Sequence, residues 1–345
     1  MRNITKILFL LAAMVFLAGC ANSPTGPNSG KWVKVCDAPW EARHFLSGTV
    51  FANSMWVIGG LSCTPDAAVT TYYGDVWTSS NGANWSQTLS TGNSPFGSRY
   101  GHRVLSLNGK MFLIGGKSAG NLKNDVWSST DGVTWTNILP NAITPGPGQF
   151  THRMDFGAQV FNNLLWIIGG FDGNDRNDVW NSPDGITWTQ VLANGTSTPT
   201  HFHGRWGHST AVFNNLLWVV GGASGINSTL PPTQGYSDVW TSPDGVTWTK
   251  VYAGTSYSPI YYHQTVVNNN LIWLTCGWGW PYWGPRSLFG TSPDGINWSY
   301  SNPSILPRFY HLSLSFDGSA WVMGGLGQDS PDGTKNFYSD VWRSQ

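Results

Sequence analysis

Charge is scarce in this chain of 345 residues: 10% are Asp, Glu, Lys or Arg, and the formal net charge is zero. There is a single glutamate, Glu41. Electrostatic binding of nucleic acid needs clustered Lys and Arg, so that class of function is excluded. Long apolar runs are also missing. The one extended stretch, Ile7 to Leu17, is too short to span a bilayer comfortably. Cysteine is confined to Cys20, Cys36, Cys63 and Cys276. No H-E-x-x-H zinc motif is present.

Glycine (42) and tryptophan (21) are abundant, and they recur in order. A hydrophobic strand ends in Gly-Gly, Asp-Val-Trp follows, then a Ser-x-Asp-Gly turn, then a Trp. The Gly pairs are Gly59-Gly60, Gly115-Gly116, Gly169-Gly170, Gly221-Gly222, a degenerate Cys276-Gly277, and Gly324-Gly325. Their first positions are 56, 54, 52, 55 and 48 residues apart. A period of roughly 50 with several short strands per repeat is the signature of a propeller blade.

The repeat around Arg205 shows how a blade is built. The sequence predicts a first strand from His208 to Phe213 and a tight hairpin at Asn214-Asn215. A second strand, Leu216 to Val220, ends in Gly221-Gly222. A third carries Asp238-Val239-Trp240, and Ser242-Pro243-Asp244-Gly245 reverses the chain into a fourth, Val246 to Val251. The repeat that ends near Trp342 lacks its fourth strand. Lys31-Trp32-Val33-Lys34-Val35 matches Thr247-Trp248-Thr249-Lys250-Val251 and is expected to supply it. The expected fold is all-β: a six-bladed β-propeller over residues 31–345, four antiparallel strands per blade, the last closed by the N-terminal strand.

The pattern resembles the kelch family across essentially all of residues 31–345, on the Gly-Gly after a hydrophobic strand and the downstream Trp. The central domain of galactose oxidase has related blades. Its copper site of tyrosines, histidines and a Cys cross-linked to Tyr finds no match here, so the resemblance implies no cofactor and no metal. The Ser-x-Asp-Gly-x-x-Trp turn also resembles the Asp-box of sialidases, one residue shorter between Asp and Gly. Asp172 and Asp175 sit in a run too short for a calcium loop.

The first 30 residues read as targeting. Arg2 and Lys6 precede the apolar run, and Leu17-Ala18-Gly19-Cys20 resembles the lipobox of bacterial lipoproteins. That resemblance implies a signal peptide over 1–20, cleavage before Cys20 and lipidation of its thiol. Residues 21–30 read as a flexible tether. Ala21 lacks the Asp that retains lipoproteins in the inner membrane, which favours the outer membrane or cell surface. Cys36 and Cys63, placed in loops of one face, are open to a disulfide in that compartment.

Candidate ligand-binding residues come from the repeat register. Sixteen residues before the first Gly of each pair stand Arg43, Arg99, Arg153, Arg205, Ile260 and Arg308. Three positions later stand His102, His208, His263 and His311. Five arginines around one channel mouth would focus an attractive field for anions and grip carboxylates bidentately. Kelch domains that bind acidic peptides or sugars are expected to use arginines of this kind. Of the tryptophans outside the repeat, Trp40, Trp206, Trp278, Trp280 and Trp283 map to the same loop face, where aromatic rings beside polar groups suit sugar binding. Glu41 and Asp155 flank the arginines and are the candidate acids or bases.

The expectation is a lipid-anchored, extracytoplasmic, monomeric binding module for a glycan or protein ligand on the loop face, with no nucleic-acid partner. A sugar epimerase or mutarotase acting on an acidic sugar, similar to the six-bladed periplasmic kelch enzyme that handles sialic acid, is the alternative. A scaffold for protein–protein contacts is a third reading.

Overall fold

The structure, a computed structural model, describes residues 31–64, 69–225, 233–252, 258–279, 284–285, 288–328 and 335–345. Cys20, with the leader and tether, and Trp280 and Trp283 lie outside those residues.

Six four-stranded antiparallel sheets occupy the described chain. In the fourth, Ser209–Phe213, Leu216–Val220, Val239–Ser242 and Thr249–Tyr252 follow one another. The last sheet is assembled from both ends of the chain: Trp32–Asp37 pairs with Asp340–Ser344, which pairs with Ser319–Met323, which pairs with Leu312–Phe316.

Each hairpin between first and second strands is a two-residue turn. Both central residues are left-handed, as at Asn214 (φ 49°) and Asn215 (φ 57°). That is the type I′ geometry whose twist matches the flanking strands, and Asn tolerates it. The fourth strand of this sheet starts three residues later than the sequence suggests. The reason is the Ser-x-Asp-Gly turn. The amides of Val246 and Thr247 donate to Asp244 Oδ1 at 2.9 and 3.0 Å, and the amide of Gly245 donates to Ser242 Oγ at 2.8 Å. Those amides are therefore withheld from the ladder.

The Gly-Gly pairs join sheet to sheet. The second residue of each pair donates its amide to the carbonyl sixteen residues ahead of the next pair. Gly60 binds Arg99, Gly116 binds Arg153, Gly170 binds Arg205, Gly222 binds Ile260 and Gly277 binds Arg308, at 2.8–2.9 Å. Gly325 in the last sheet binds the Arg43 carbonyl in the first at 2.9 Å. Both residues of a pair have positive φ, so glycine is required. Cys276 alone holds such a φ (50°) with a side chain, which is buried with its thiol pushed up to about 12 by desolvation.

A second lock uses the turn glycines. A Cβ on Gly245 would run into the ring of Trp166 in the preceding sheet; Gly132 stands so to Trp56 and Gly295 to Trp218. These second-strand tryptophans thus pack against the neighbour's turn glycine. Gly245→Ala should cost about 1–3 kcal/mol through this overlap and its positive φ, read as a lower urea midpoint. An unchanged midpoint would show that the ring can move aside.

Cys36 and Cys63 are strand residues, in Trp32–Asp37 and at the end of Ser54–Cys63, and both are free thiols. The loop placement that would have brought them together does not hold. The Cys36 thiol contacts the Gly82 carbonyl at 3.4 Å instead.

Candidate functional site

The five repeat arginines do not line a channel mouth. Each is at most 2% exposed, and each is spent on a carboxylate in, or for Asp238 just before, the third strand. Arg43 pairs with Asp75, Arg99 with Asp125, Arg153 with Asp178, Arg205 with Asp238 and Arg308 with Asp340, at 2.5–3.0 Å. Arg153 is typical. Its Nη1 and Nη2 donate to the two Asp178 oxygens at 2.8 Å each, and Nη1 also donates to the Gly169 carbonyl at 2.9 Å. The tryptophan two residues on completes the unit: Trp180 Nε1 donates to Asp178 Oδ2 at 2.8 Å. The bidentate fork that suits an anionic ligand is occupied by the protein itself. In the fifth sheet Arg, Asp and Trp are all absent, and Ile260 and Leu288 pack there as an apolar pair.

The tryptophan assignments divide. Trp40 is 3% exposed and meets Trp77 and Trp85 edge-on at 5.8 and 4.8 Å. Phe96, Phe150 and Phe202 do the same job three residues before their arginines, so Trp40 is scaffold. Trp206 is 2% exposed and packs among Ala223 and Tyr261. Trp278 stays partly exposed, edge-on to Phe309 at 4.7 Å. The hole at Gly290 is filled by Tyr300 and Trp298.

Other sequence candidates are also accounted for. Glu41 is exposed, and only its backbone carbonyl reaches the site, accepting from Arg43 Nε at 3.0 Å. Asp172 accepts from Arg176 Nε at 2.7 Å and Asp175 from the Gly225 amide at 2.6 Å. Gly116-Lys117-Ser118-Ala119-Gly120 has the letters of G-x-S-x-G, yet Ser118 pairs with Asn121 across a hairpin, not on a strand-to-helix elbow.

Two residues after each arginine position the chain turns left-handed, at Phe45, Gly101, Asp155, Gly207, Tyr262 and Tyr310 (φ 55–63°). Their backbones are linked in sequence. Asp155 N donates to Gly101 O, Gly207 to Asp155, Tyr262 to Gly207, Tyr310 to Tyr262 and Phe45 to Tyr310, at 2.7–3.2 Å. Their side chains meet in one layer. Phe45 and Tyr310 lie 3.5 Å apart between centroids, and Tyr310 and Tyr262 lie 3.8 Å apart. Asp155, 3% exposed, shares a hydrogen bond with Tyr262. Burial pushes its carboxyl up to about 7, against the lowering effect of Arg103 and Tyr262. Burial likewise lifts the Tyr262 and Tyr310 hydroxyls well above the ordinary phenol range.

Next along the chain come His102, His208, His263 and His311, each at most 1% exposed. His263 Nε2 contacts Ser209 Oγ at 2.7 Å, and His311 Nε2 contacts Thr275 Oγ1 at 2.8 Å. Desolvation holds His102, His208 and His311 well below the ordinary range and His263 at about 3. They are neutral and add no positive charge to a binding site.

Past that layer lies a cavity of about 280 Å³, lined by the first strands of all six sheets. Its walls are mixed: the hydroxyl and amide groups of Ser47, Thr49, Gln159, Thr210, Gln264 and Ser313 alternate with aliphatic residues such as Val104, Val212 and Leu314. Exposure grows along the first strand of the last sheet, from buried Ser313 to exposed Ser315, so the wide end faces away from the aromatic layer. One cation, Arg103, lines both this cavity and the void of about 20 Å³ beneath Asp155. Arg103 was not among the sequence candidates. It stands four residues after Arg99, in one repeat only, so register offered no signal for it.

Residues 44–183 match the family model described as the DUF6242 beta propeller domain. That match and the stacked four-stranded sheets agree. The chain is a β-propeller. Among curated proteins it is similar to the leucine-zipper-like transcriptional regulator 1 homolog of Drosophila melanogaster, 27% identical over 268 residues. The aligned region covers 72% of this chain and 26% of that relative's length. A propeller suits binding or scaffolding and by itself selects no ligand.

Proposed function

We propose that this propeller is a closed ring of six kelch-type blades, held outside the cytoplasm by lipid on Cys20. It acts as a monomeric module that binds a small hydroxylated solute of the sugar class. Ring closure is supported by the Gly325–Arg43 and Phe45–Tyr310 backbone bonds between last and first sheets. The lipid anchor rests on Leu17-Ala18-Gly19-Cys20.

The observation that carries the ligand class is the cavity wall. Hydroxyl and amide groups from five of the six first strands, with Arg103 from the remaining one, converge on about 280 Å³. That is just under the roughly 300–1,000 Å³ of pockets for drug-sized ligands. Several of these groups bond one another, as Gln159 Nε2 does to the Thr210 carbonyl, and their remaining donor and acceptor capacity suits the hydroxyls of a monosaccharide. Binding is thus moved from the loop face, where the arginines were expected to act, to the axis.

The test is calorimetry of the full chain in detergent micelles against a panel of monosaccharides and short glycans. Saturable binding of a monosaccharide, weakened at least tenfold by Thr210→Val with Ser313→Ala, is the expected result. Binding of glycans only through an intact loop face, unaffected by those changes, would return the site to the loops. Asp155, next to Tyr262 and near neutral pKa, is the one observation that favours the epimerase reading. A polarimetric assay of anomer interconversion, compared between wild type and Asp155→Asn, decides it.

A further inference from the structure

We infer that the axial cavity is an anion site, in which the Arg103 guanidinium receives the carboxylate of a monosaccharide-sized acid. This rests on the preceding reading that the cavity binds a sugar-class solute, and it names the group that fixes the ligand's orientation.

Arg103 differs from the repeat arginines in what it lacks. Each of those has a carboxylate within 3.0 Å. Arg103 donates from Nη1 to the His102 carbonyl at 3.2 Å and approaches the Phe156 ring at 5.8 Å. Among the described residues no carboxylate stands within ion-pair distance of it. A guanidinium has five donors, so most of its fork is left for the cavity it lines. Asp155 is the acid that acts on it through space, and burial keeps that carboxyl largely protonated up to about pH 7. The positive charge is therefore uncompensated inside a partly enclosed space, where a counter-charge is worth most.

The same facts set the ligand's charge and shape. One cation matches one anion; a phosphate dianion would bring a second charge into a cavity whose histidines are neutral. A planar carboxylate fits the planar fork bidentately. Gln264, on the first strand of the fifth sheet, offers its amide to the hydroxyls of the body, and Gln159, whose amide donates to the Thr210 carbonyl at 2.6 Å, offers its side-chain oxygen as acceptor.

Glucuronate and glucose are suitable probes, since they differ only in the carboxylate. Titrating the full chain in micelles by calorimetry at pH 6, glucuronate should bind at least tenfold tighter than glucose. Arg103→Gln should abolish that ratio while leaving glucose affinity within about twofold, and Arg103→Lys should keep part of it. If Arg103→Gln does not fold, the wild-type ratio and its loss at raised salt still decide. Equal affinity for the two sugars, or a ratio that survives Arg103→Gln, overturns the anion site and leaves the sugar reading standing. No binding of either sugar overturns both.

Discussion

Arg153→Ala should lower the unfolding free energy by about 3–5 kcal/mol, because it strands the Asp178 carboxylate in the interior. Asp178 would lose both Nη donors at 2.8 Å and keep only Trp180. Equilibrium urea unfolding is the measurement. The fifth sheet supplies the control. There Ile260 and Leu288 stand in place of Arg and Asp, and Gly290 in place of Trp, with the sheet intact. The double variant Arg153→Ile, Asp178→Leu should therefore lose much less than the single one, apart from about 1 kcal/mol for the stranded Trp180 donor. If the double is as unstable as the single, the ion pair contributes more than an apolar pair can replace. The pair also sets an acid limit. Burial alone would raise the Asp178 carboxyl, but Arg153 outweighs it and holds the group below the ordinary range. Its contribution is complete above the unfolded value of about 3.9 and is lost as pH falls through the lower folded value.

Asp155→Asn should do the opposite and stabilise the protein, increasingly so with pH. The Asp155 carboxyl titrates near 7 in the folded state and near 3.9 unfolded. A raised folded value means that stability is full below about pH 4 and declines as pH rises towards 7. Three units at about 1.4 kcal/mol each make that decline as much as about 4 kcal/mol. Asn removes the titration, keeps the shape and accepts the left-handed φ of 55°. The groups coupled to this position are the Arg103 cation and the neutral hydroxyls of Tyr262, Tyr310 and Tyr100, and none of them changes charge between pH 4 and 8. Urea midpoints at pH 4.5 and pH 8 should show a small gain at the first and a large one at the second. Equal gains at both would remove Asp155 from this role.

Much of the fold could be read from sequence because the repeat restates one set of backbone needs. Gly-Gly marks paired positive φ, Asn-Asn marks type I′ hairpins, and Ser-x-Asp-Gly marks the turn that takes amides from the fourth strand. The N-terminal strand was legible by its likeness to Thr247–Val251, and it pairs as that likeness requires. The same regularity conceals the roles of the arginines. Five arginines at one register looked like a ligand ring, yet the sequence held the counter-signal: the repeat that lacks Arg lacks Asp and Trp as well. Residues lost together are partners of each other. Arg103 and the partner layer of Asp155, Tyr262 and Tyr310 depart from the repeat one blade at a time, so only geometry brings them together.

The pairing of Trp32–Asp37 with Asp340–Ser344 has a kinetic consequence. Trp32–Asp37 is synthesised about 300 residues before its partner, Asp340–Ser344, emerges. Until then the third strand of the final sheet has an open edge, and the early strand has no register. Closing that contact joins segments at the extreme of sequence separation, the slow class of folding event. The nascent chain must carry an unpaired, tryptophan-bearing β-segment throughout its synthesis. A peptide of residues 31–37 added in trans during refolding would compete for the same edge.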